Sequence, residues 1–315
     1  MSRILLTAIG SMSALPALEC YRELGHEVFT CDIYDRAFNT APLYADGSFQ
    51  SHLATRGEEY VQQLLEAVRR DRIDFLIPLT DPEVDVLSPR KAEFLALGCI
   101  LCTPDEDQAR LFRSKDQMNR FLEERAIGRV IPTMTATETL PPWPFPLLMK
   151  PRSGRSSQGL TVVRNEDEYL TALKKRDDYI VQPYLTGDIW CVDVARDKAG
   201  KCVALARREI LRNPSGLGMT VETVPGHPLE EVCRQIAQAT ELVGVVNMEF
   251  IAHDGEYYFL EVNPRFSGGV GFSMAAGADF AAFELICHEG GALPETIQPK
   301  HCILARESRI QITRP

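Results

Sequence analysis

The 315-residue chain has no apolar run long enough to cross a bilayer, and its first apolar stretch, Ile4–Gly10, is too short and too soon interrupted for a signal peptide. Positive charge is also scarce: 34 lysines and arginines against 44 aspartates and glutamates give a net charge of −10. That balance disfavours nucleic acid and anionic membranes as partners. The nine cysteines are scattered through a chain large enough to fold without disulfides. We therefore expect a cytoplasmic protein with free thiols.

Two common nucleotide-binding motifs are missing as well. No G-x-x-x-x-G-K-[ST] segment occurs, which excludes a Walker A phosphate loop. The first predicted strand-to-helix turn has a single glycine, Gly10, where the dinucleotide fingerprint needs three. Asp32 follows at about the spacing of a ribose-binding acid, so a nicotinamide-dependent dehydrogenase stays open as an alternative. Titration with a nicotinamide nucleotide would exclude it.

Apolar and amphipathic stretches alternate from Met1 to Pro104, with short links between them. This pattern predicts strands and helices in alternation, and hence an α/β domain with a doubly wound parallel sheet over residues 1–110. The loops at the carboxyl ends of such strands carry function. Here they contain Gly10, Ser11, Asp32 and Thr80–Glu83.

The pattern changes after Asp105. A charged helical segment, a proline-rich link and a strand–loop–strand–helix–strand unit predict a small α+β subdomain over residues 111–184. The remainder, residues 185–315, alternates strands with two helices. We read it as a third unit.

A small polar loop follows Lys150 and runs over residues 151–158. Gly154, Ser156 and Ser157 leave backbone N–H groups uncovered and add hydroxyl donors, so the loop is suited to fold over phosphate oxygens. Lys150 would supply a cation on a flexible stem. The alternative is an exposed hairpin tip with a solvated lysine.

A second candidate segment follows in the stretch after Asp178. Gln182, Tyr184 and Leu185 lie where a hinge strand would offer backbone N–H and C=O groups to an adenine edge, and Asp188 would accept hydrogen bonds from ribose hydroxyls. An ordinary buried strand followed by a loop acid is the alternative.

Two glutamates flank a predicted hairpin turn. A two-residue turn at Asp254–Gly255 would pair Glu249 with Leu260 and send Glu249 and Glu261 to opposite faces. A three-residue loop over residues 254–256 pairs Glu249 directly with Glu261 instead. We predict the longer loop, with both carboxylates on one face.

The same register places Asn247 opposite Asn263, and we expect Tyr257 and Phe259 to share the face of the carboxylates. Facing carboxylates repel unless a cation lies between them, and oxygen ligands select a hard ion, Mg²⁺ or Mn²⁺, that completes its shell with phosphate. The metal and the phosphate loop therefore predict a magnesium nucleoside triphosphate, held by Glu249, Glu261 and Asn263. A pair of surface glutamates is the alternative.

Arg265 lies two positions beyond Asn263 at the end of the second strand. A guanidinium fixed there would stabilise charge on a γ-phosphate during in-line transfer. A salt bridge to Glu261 is the plainer interpretation, and both roles are compatible.

With these motifs the chain resembles the ATP-grasp superfamily, in particular the branch similar to the large subunit of carbamoyl phosphate synthetase. The resemblance rests on five segments in order, and the last is the most specific: SKDQM, LLMKPRSGRSSQGLTVV, IVQPYLTGDIWCVDV, NMEF and FLEVNPRFSGG. It implies that a two-subdomain ATP-grasp fold follows the N-terminal sheet. It also implies an ADP-forming ligase that activates a carboxylate as an acyl phosphate and joins it to an amine.

Carried across by motif, the resemblance assigns Lys115 and Lys150 to the phosphates, the metal acids as above, Arg265 to the transferring phosphoryl group and Arg208 to a second anion contact. An enzyme that phosphorylates a carboxylate or carbamate without ligation is one alternative. A nucleotide-binding module without turnover is another. Trapping of an acyl phosphate by hydroxylamine, with ADP released, would separate the ligase from the module, and ADP formed with no amine required would indicate the phosphorylating enzyme.

The expected partners are small-molecule carboxylate and amine substrates, with amino acids as candidates by analogy. They should bind near Gly10, Ser11, Asp81–Glu83 and Gly268–Gly269. An exposed edge of the parallel sheet would be compatible with a homodimer.

Overall fold

The computed structural model describes residues 1–153, 159–174 and 178–314. Three sheets follow one another along these residues, in the order of the three predicted units. The exact limits of the units stay a prediction.

The first sheet is parallel, with strand order β3-β2-β1-β4-β5. Its strands are β1 (Arg3–Leu6), β2 (Glu27–Asp32), β3 (Gly47–Gln50), β4 (Phe75–Ile77) and β5 (Ile100–Leu101). The helices between them are α1 (Ala14–Glu23), α2 (Glu58–Asp71), α3 (Asp81–Leu87) and α4 (Lys91–Leu95), with short 3₁₀ turns at Arg36–Phe38, Ala41–Tyr44, Ala54–Arg56 and Ser88–Arg90. The predicted doubly wound sheet is confirmed.

Side-chain alternation explains why both faces of this sheet are covered. Ile4 and Leu6 are buried in one core cluster together with residues of α1, whereas Leu5 is buried in another with residues of α2. A fully buried parallel sheet of this kind leaves its polar loops at the carboxyl ends of the strands.

The segment predicted as one helix after Asp105 is two helices, α5 (Glu106–Arg113) and α6 (Lys115–Glu124). They are separated by Ser114, whose extended backbone (φ −99°, ψ 101°) breaks the helical path. The break makes Lys115 the first residue of α6.

The second sheet is antiparallel, with strand order β7-β10-β8-β9 among the described residues. Its elements are β7 (Met134–Thr135), β8 (Leu147–Pro151), β9 (Thr161–Val163), α7 (Glu166–Leu173) and β10 (Tyr179–Pro183). The phosphate-loop residues Gly154, Ser156 and Ser157 lie outside the described residues.

The third sheet has strand order β16-β13-β12-β11-β14-β15-β6 among the described residues. Its strands are β6 (Arg129–Val130), β11 (Ile189–Arg196), β12 (Cys202–Arg212), β13 (Gly218–Thr223), β14 (Gly244–His253), β15 (Glu256–Asn263) and β16 (Cys302–Ala305), and its helices are α8 (Pro228–Ala239), α9 (Val270–Ala275) and α10 (Phe280–Glu289). β6 comes from the predicted second unit yet pairs with β15.

The two faces of the third sheet differ. One face is buried against α5, α6 and α8, with Val192, Met248 and Val262 in its core. The other is covered by α9 and α10 at one end and is open at the other. The open end holds the polar residues described next.

No helix within the described ranges is both long and apolar enough to span a bilayer.

Candidate active site

The β14–β15 hairpin brings the two glutamates together as predicted, with Glu249 opposite Glu261 and Asn247 opposite Asn263. The predicted three-residue loop, however, is wrong. The turn has two residues, Asp254 and Gly255, both with positive φ (50° and 80°), as in the turns that match strand twist.

A bulge, not the loop, supplies the extra residue that sets this register. Phe250 pairs with Phe259 and Glu249 with Glu261, so Leu260 is the additional residue on β15. The bulge reverses the expected facing of the apolar residues. Phe259 packs in the core on the face away from Glu261, and Tyr257 packs against that same core. The expectation that Tyr257 and Phe259 share the carboxylate face is therefore wrong.

The predicted metal ligands form one polar group at the open end of the third sheet. Asn263 Nδ2 donates hydrogen bonds to Glu249 Oε1 and to Asn247 Oδ1, each at 3.2 Å. Lys115 Nζ lies 3.1 Å from Glu261 Oε2, and a guanidinium nitrogen of Arg212 lies 3.6 Å from Glu249 Oε2. Each carboxylate thus has a cationic neighbour.

The pKa values of two residues in this group are shifted toward the neutral form of each side chain. Burial, and next the facing charge of Glu261, raises the pKa of Glu249 to about 7. Burial, and next the nearby charge of Lys115, lowers the pKa of Lys150 to about 8. A divalent cation beside Glu249 and an anion beside Lys150 would each relieve the strain.

A cavity of about 260 Å³ opens between the second and third sheets. Lys115, Lys150, Glu249 and Glu261 line it on one side. Its remaining wall is mostly apolar: Ile131, Leu148, Pro151, Leu160, Pro183, Leu185, Ile189, Ile251 and Leu260, with Arg212 at the boundary. A planar apolar group with an anionic tail matches this combination.

The predicted hinge residues lie beside this cavity in different ways. Leu185 lines it. Gln182 is buried and uses its side-chain amide to donate to Thr133 Oγ1 at 2.6 Å. Tyr184 is partly exposed, and its N–H donates to the carbonyl of Pro146. These contacts make Gln182 and Tyr184 part of the frame around the cavity, while Leu185 is the hinge residue that lines it.

Two predicted residues lie elsewhere. Asp188 and Arg208 form an ion pair with each other at 3.5 Å, and Arg208 is also paired with Glu222 at 2.7 Å. Neither lines either cavity of the site. Arg208 pairs with Trp190 across the strands, and Trp190 packs in the core on the face away from the two glutamates. The side chain of Arg208 therefore points to that face. The structure therefore places Asp188 and Arg208 outside both cavities of the site.

A second cavity, of about 510 Å³, lies where the third sheet meets the loops of the first. The first sheet contributes Gly10–Met12 and Leu79–Asp81, and the loop after β15 contributes residues 265–269. These are the loops from which substrate binding was predicted. Glu249 and Glu261 line this cavity as well as the first one, so the carboxylate pair stands on the wall between them.

Arg265 lines the second cavity and is held rigidly. Its Nε lies 3.2 Å from Asp81 Oδ1, its Nη2 donates to Asp81 Oδ2 and Asn263 Oδ1, and its Nη1 donates to the carbonyl of Phe266. A salt bridge to Glu261, the plainer interpretation of Arg265, does not form among the described residues. The partner is Asp81 from the first sheet.

Three charged residues that line the second cavity were not predicted from the sequence: Arg207, Glu209 and Arg212. Arg207 is fully buried and paired with Asp193. The alternation of side chains along a strand was the sequence signal that could have identified Arg207. Adjacent residues face opposite ways, and the row that runs from Glu249 through Cys191 reaches Arg207 and not Arg208.

The first-sheet loop at Gly10 is held by Asp32, whose Oδ2 accepts the Gly10 N–H at 2.8 Å and whose Oδ1 accepts the Tyr34 N–H. Asp32 is therefore engaged in fixing its own loop. This use, together with the missing glycines, gives the dehydrogenase alternative no structural support.

Comparison with known proteins adds family information. A family model described as "ATP-grasp in the biosynthetic pathway with Ter operon" matches residues 175–308. The carbamoyl phosphate synthase large chain of Halobacterium salinarum is 26% identical over 288 residues, which cover 84% of this chain and 27% of that protein. The D-alanine–D-alanine ligase of Christiangramia forsetii is 31% identical over 139 residues, which cover 38% of this chain and 42% of that protein.

Among solved structures, the biotin carboxylase–β-γ-ATP complex from Campylobacter jejuni superposes with a TM-score of 0.77 at 20% identity, covering 97% of this chain and 76% of that one. This likeness confirms the predicted fold. The relatives are enzymes by name, in agreement with the predicted enzyme class. The chain spans less than half the length of either curated relative, 27% and 42%.

Proposed function

We propose, because the chain is an ATP-grasp protein, that it is a magnesium-ATP-dependent ligase. It would activate a carboxylate as an acyl phosphate and join it to an amine, with release of ADP and phosphate. The nucleotide would occupy the cavity between the second and third sheets. The carboxylate and amine substrates would occupy the cavity beneath the N-terminal loops.

One observation carries this proposal: Glu249 and Glu261 line both cavities. A phosphoryl group that passes from a nucleotide to a carboxylate must have donor and acceptor on either side of one charged centre. The shared wall is the place where that transfer would occur.

The residues present fit a hard divalent cation. Glu249 and Glu261 offer facing carboxylate oxygens, and Asn263 offers an amide oxygen, which is the donor chemistry of Mg²⁺. These three residues would hold the ion, with Mn²⁺ as a chemically similar substitute. When bound, the ion would neutralise charge on the phosphate oxygens.

Two lysines would bind the phosphates. Lys150 is buried at the end of β8 and Lys115 begins α6, and both line the nucleotide cavity. Lys115 forms an ion pair with Glu261. The apolar wall around Leu185 and Ile251 would exclude water from the base and strengthen the electrostatic contacts.

The affinity for magnesium-ATP is expected to be greatest between about pH 7 and pH 8. Glu249, with its pKa raised to about 7, must lose its proton to bind the metal, so affinity falls as the pH drops below that value. Lys150, with its pKa lowered to about 8, must keep its proton to bind phosphate, so affinity falls above that value. Each limb should approach about tenfold per pH unit.

Calorimetric titration from pH 6 to pH 9 would measure this profile, with correction for protonation of the nucleotide itself. The variant Lys150→Arg provides a matched control, because an arginine stays charged and should remove the alkaline limb alone. A flat profile in the wild type, or an alkaline limb that survives in Lys150→Arg, would contradict the assignment.

The function itself is tested by phosphate release from magnesium-ATP with a panel of amino acids and small carboxylates, tested singly and in pairs. A ligase releases phosphate only when both carboxylate and amine are supplied, and hydroxylamine should trap its acyl phosphate as a hydroxamate. ADP formation without any amine would favour the phosphorylating alternative. Nucleotide binding with neither product would favour the non-catalytic module.

A further inference from the structure

Among the described residues, the charged side chains that line the cavity beneath the N-terminal loops are paired, with one exception. The pairs are Arg207 with Asp193, Arg265 with Asp81, and Arg212 with Glu249. Glu209 also lines this cavity, and within the described part of the chain it has no ion pair within 4 Å and its carboxylate accepts no hydrogen bond. The phosphate and metal chemistry proposed above makes no use of it.

The position of Glu209 is set by the sheet. It follows Arg207 by two residues on β12, so both side chains point to the cavity face. Its Oε2 is packed against Gly218 on the neighbouring strand, where a Cβ atom would come within 2.1 Å of that oxygen. The absence of a side chain at position 218 thus leaves the space that the Glu209 carboxylate occupies.

Neighbouring guanidinium groups act on Glu209 only through space. Arg207 is committed to Asp193 and to the hydroxyls of Ser267 and Ser273. Arg306 donates from Nη2 to the carbonyl of Gly268. The charge of Glu209 acts to raise the pKa of both guanidinium groups, although its carboxylate makes no ion pair with either among the described residues.

Burial of this carboxylate oxygen without a hydrogen bond costs free energy, even though the charges of Arg207 and Arg306 act on it through space. Glu209 lies close enough to Glu249 to contribute to the raised pKa of that residue. The fold gains no hydrogen bond in return among the described residues. A cationic group brought by a ligand would offset the cost.

Building on the proposed ligase function, we propose that Glu209 binds the ammonium group of a substrate and determines specificity for it. The substrate class is a primary amino compound, positively charged at neutral pH, seated in the cavity beneath the N-terminal loops. Glu209 is a recognition residue here, separate from the groups that hold phosphate and metal.

The test compares amino compounds with analogues that lack only the amino group, such as alanine with propionate. Phosphate release from magnesium-ATP is measured for the wild type and for Glu209→Gln, which removes the charge at nearly constant shape. The wild type should prefer the amino compound. In Glu209→Gln, kcat/KM for it should fall about 10- to 100-fold, mainly through KM, while the analogue loses far less.

Glu222→Gln is the matched control, since Glu222 lies on the neighbouring strand and pairs with Arg208 on the opposite face. It should leave the preference unchanged. Glu209→Asp retains the charge on a shorter stem and should give an intermediate loss. It also replaces Glu209→Gln in the comparison should the latter fail to fold, as judged by thermal melting.

The inference is overturned if Glu209→Gln keeps the wild-type preference. It is equally overturned if the wild type releases phosphate with the panel but does not prefer any amino compound over its analogue. Failure of the proposed function would look different, because the wild type would then release no phosphate with any compound of the panel or would not bind ATP in a magnesium-dependent manner.

Discussion

Replacement of Glu261 by glutamine is expected to reduce magnesium-ATP-dependent turnover by about 10²- to 10³-fold. The change leaves the side-chain shape but removes one of the two charges that face each other across the hairpin. A neutral amide is a weak ligand for Mg²⁺, which relies on carboxylates and phosphate. The ion pair between Lys115 and Glu261, 3.1 Å long, is also lost. Metal binding and the arrangement of the phosphate-binding lysine should therefore fail together.

Two measurements make this prediction specific. Phosphate release reports turnover, and calorimetry reports whether Mg²⁺ still strengthens ATP binding, which does not depend on knowing the substrates. Glu256→Gln is the control, because Glu256 lies on the same strand but pairs with Arg129 away from both cavities. Undiminished turnover in Glu261→Gln, or an equal loss in both variants, would show that the metal assignment is wrong.

The carboxylate pair shows what sequence alone could and could not determine. One extra residue had to be placed somewhere in the hairpin for Glu249 to meet Glu261, and the sequence permitted it in the turn or in the strand. Both choices give the same pairing of the glutamates. They differ in where Tyr257 and Phe259 point, and large apolar residues are compatible with either face. The bulge at Leu260 leaves no distinct mark in the residue pattern.

Arg207 and Arg208 illustrate a second limit. Two adjacent arginines on a strand must face opposite ways, but which one faces the site depends on the register of β12 against β11. Hydrophobic alternation fixes this only where one face is apolar. At this end of β12 both faces carry charge, in Glu209 on one side and in Arg208 on the other. The sequence therefore supported Arg208 as a residue of the site as well as it supported Arg207, which lines the cavity.

The fold could be predicted from the sequence more fully than the site, because it depends on patterns that repeat over many residues. The alternation of strands and amphipathic helices is spread over the first hundred residues, and it specified the parallel sheet of β1 to β5. Contacts between distant units have no such pattern. Asp81 and Arg265 are 184 residues apart in sequence, and nothing local to either predicts their ion pair.

The pairing of charges within the site has a consequence for the proposed binding of magnesium-ATP. Lys115 and Arg212 are held by Glu261 and Glu249, the acids that would take up the metal. Magnesium and a triphosphate arrive with complementary charge, so the acids would move to the metal and the cations to the phosphates. Each charged group would exchange one oppositely charged partner for another. Because no charge would be buried without a partner, the desolvation cost of binding would stay low.

Replacement of Arg265 by lysine is expected to lower kcat by roughly 10²-fold, with little change in the affinity for magnesium-ATP. The guanidinium is fixed by contacts to Asp81, Asn263 and Phe266 that need its planar fork. A lysine keeps the charge but offers one ammonium in place of that fork. The lysine would keep an ion pair with Asp81 but lose the other contacts. Its ammonium group would then no longer lie where the transferring phosphoryl group is proposed to be.

Arg208→Lys is the matched control for this change, because Arg208 is an arginine of the same sheet whose partners Asp188 and Glu222 lie on the opposite face. Its kcat should stay within about twofold of the wild type, as for other surface changes. A larger loss in Arg208→Lys than in Arg265→Lys would return the anion contact to Arg208 and contradict the geometry. A loss in Arg265→Lys that appears only in KM would place Arg265 in substrate binding instead of transition-state stabilisation.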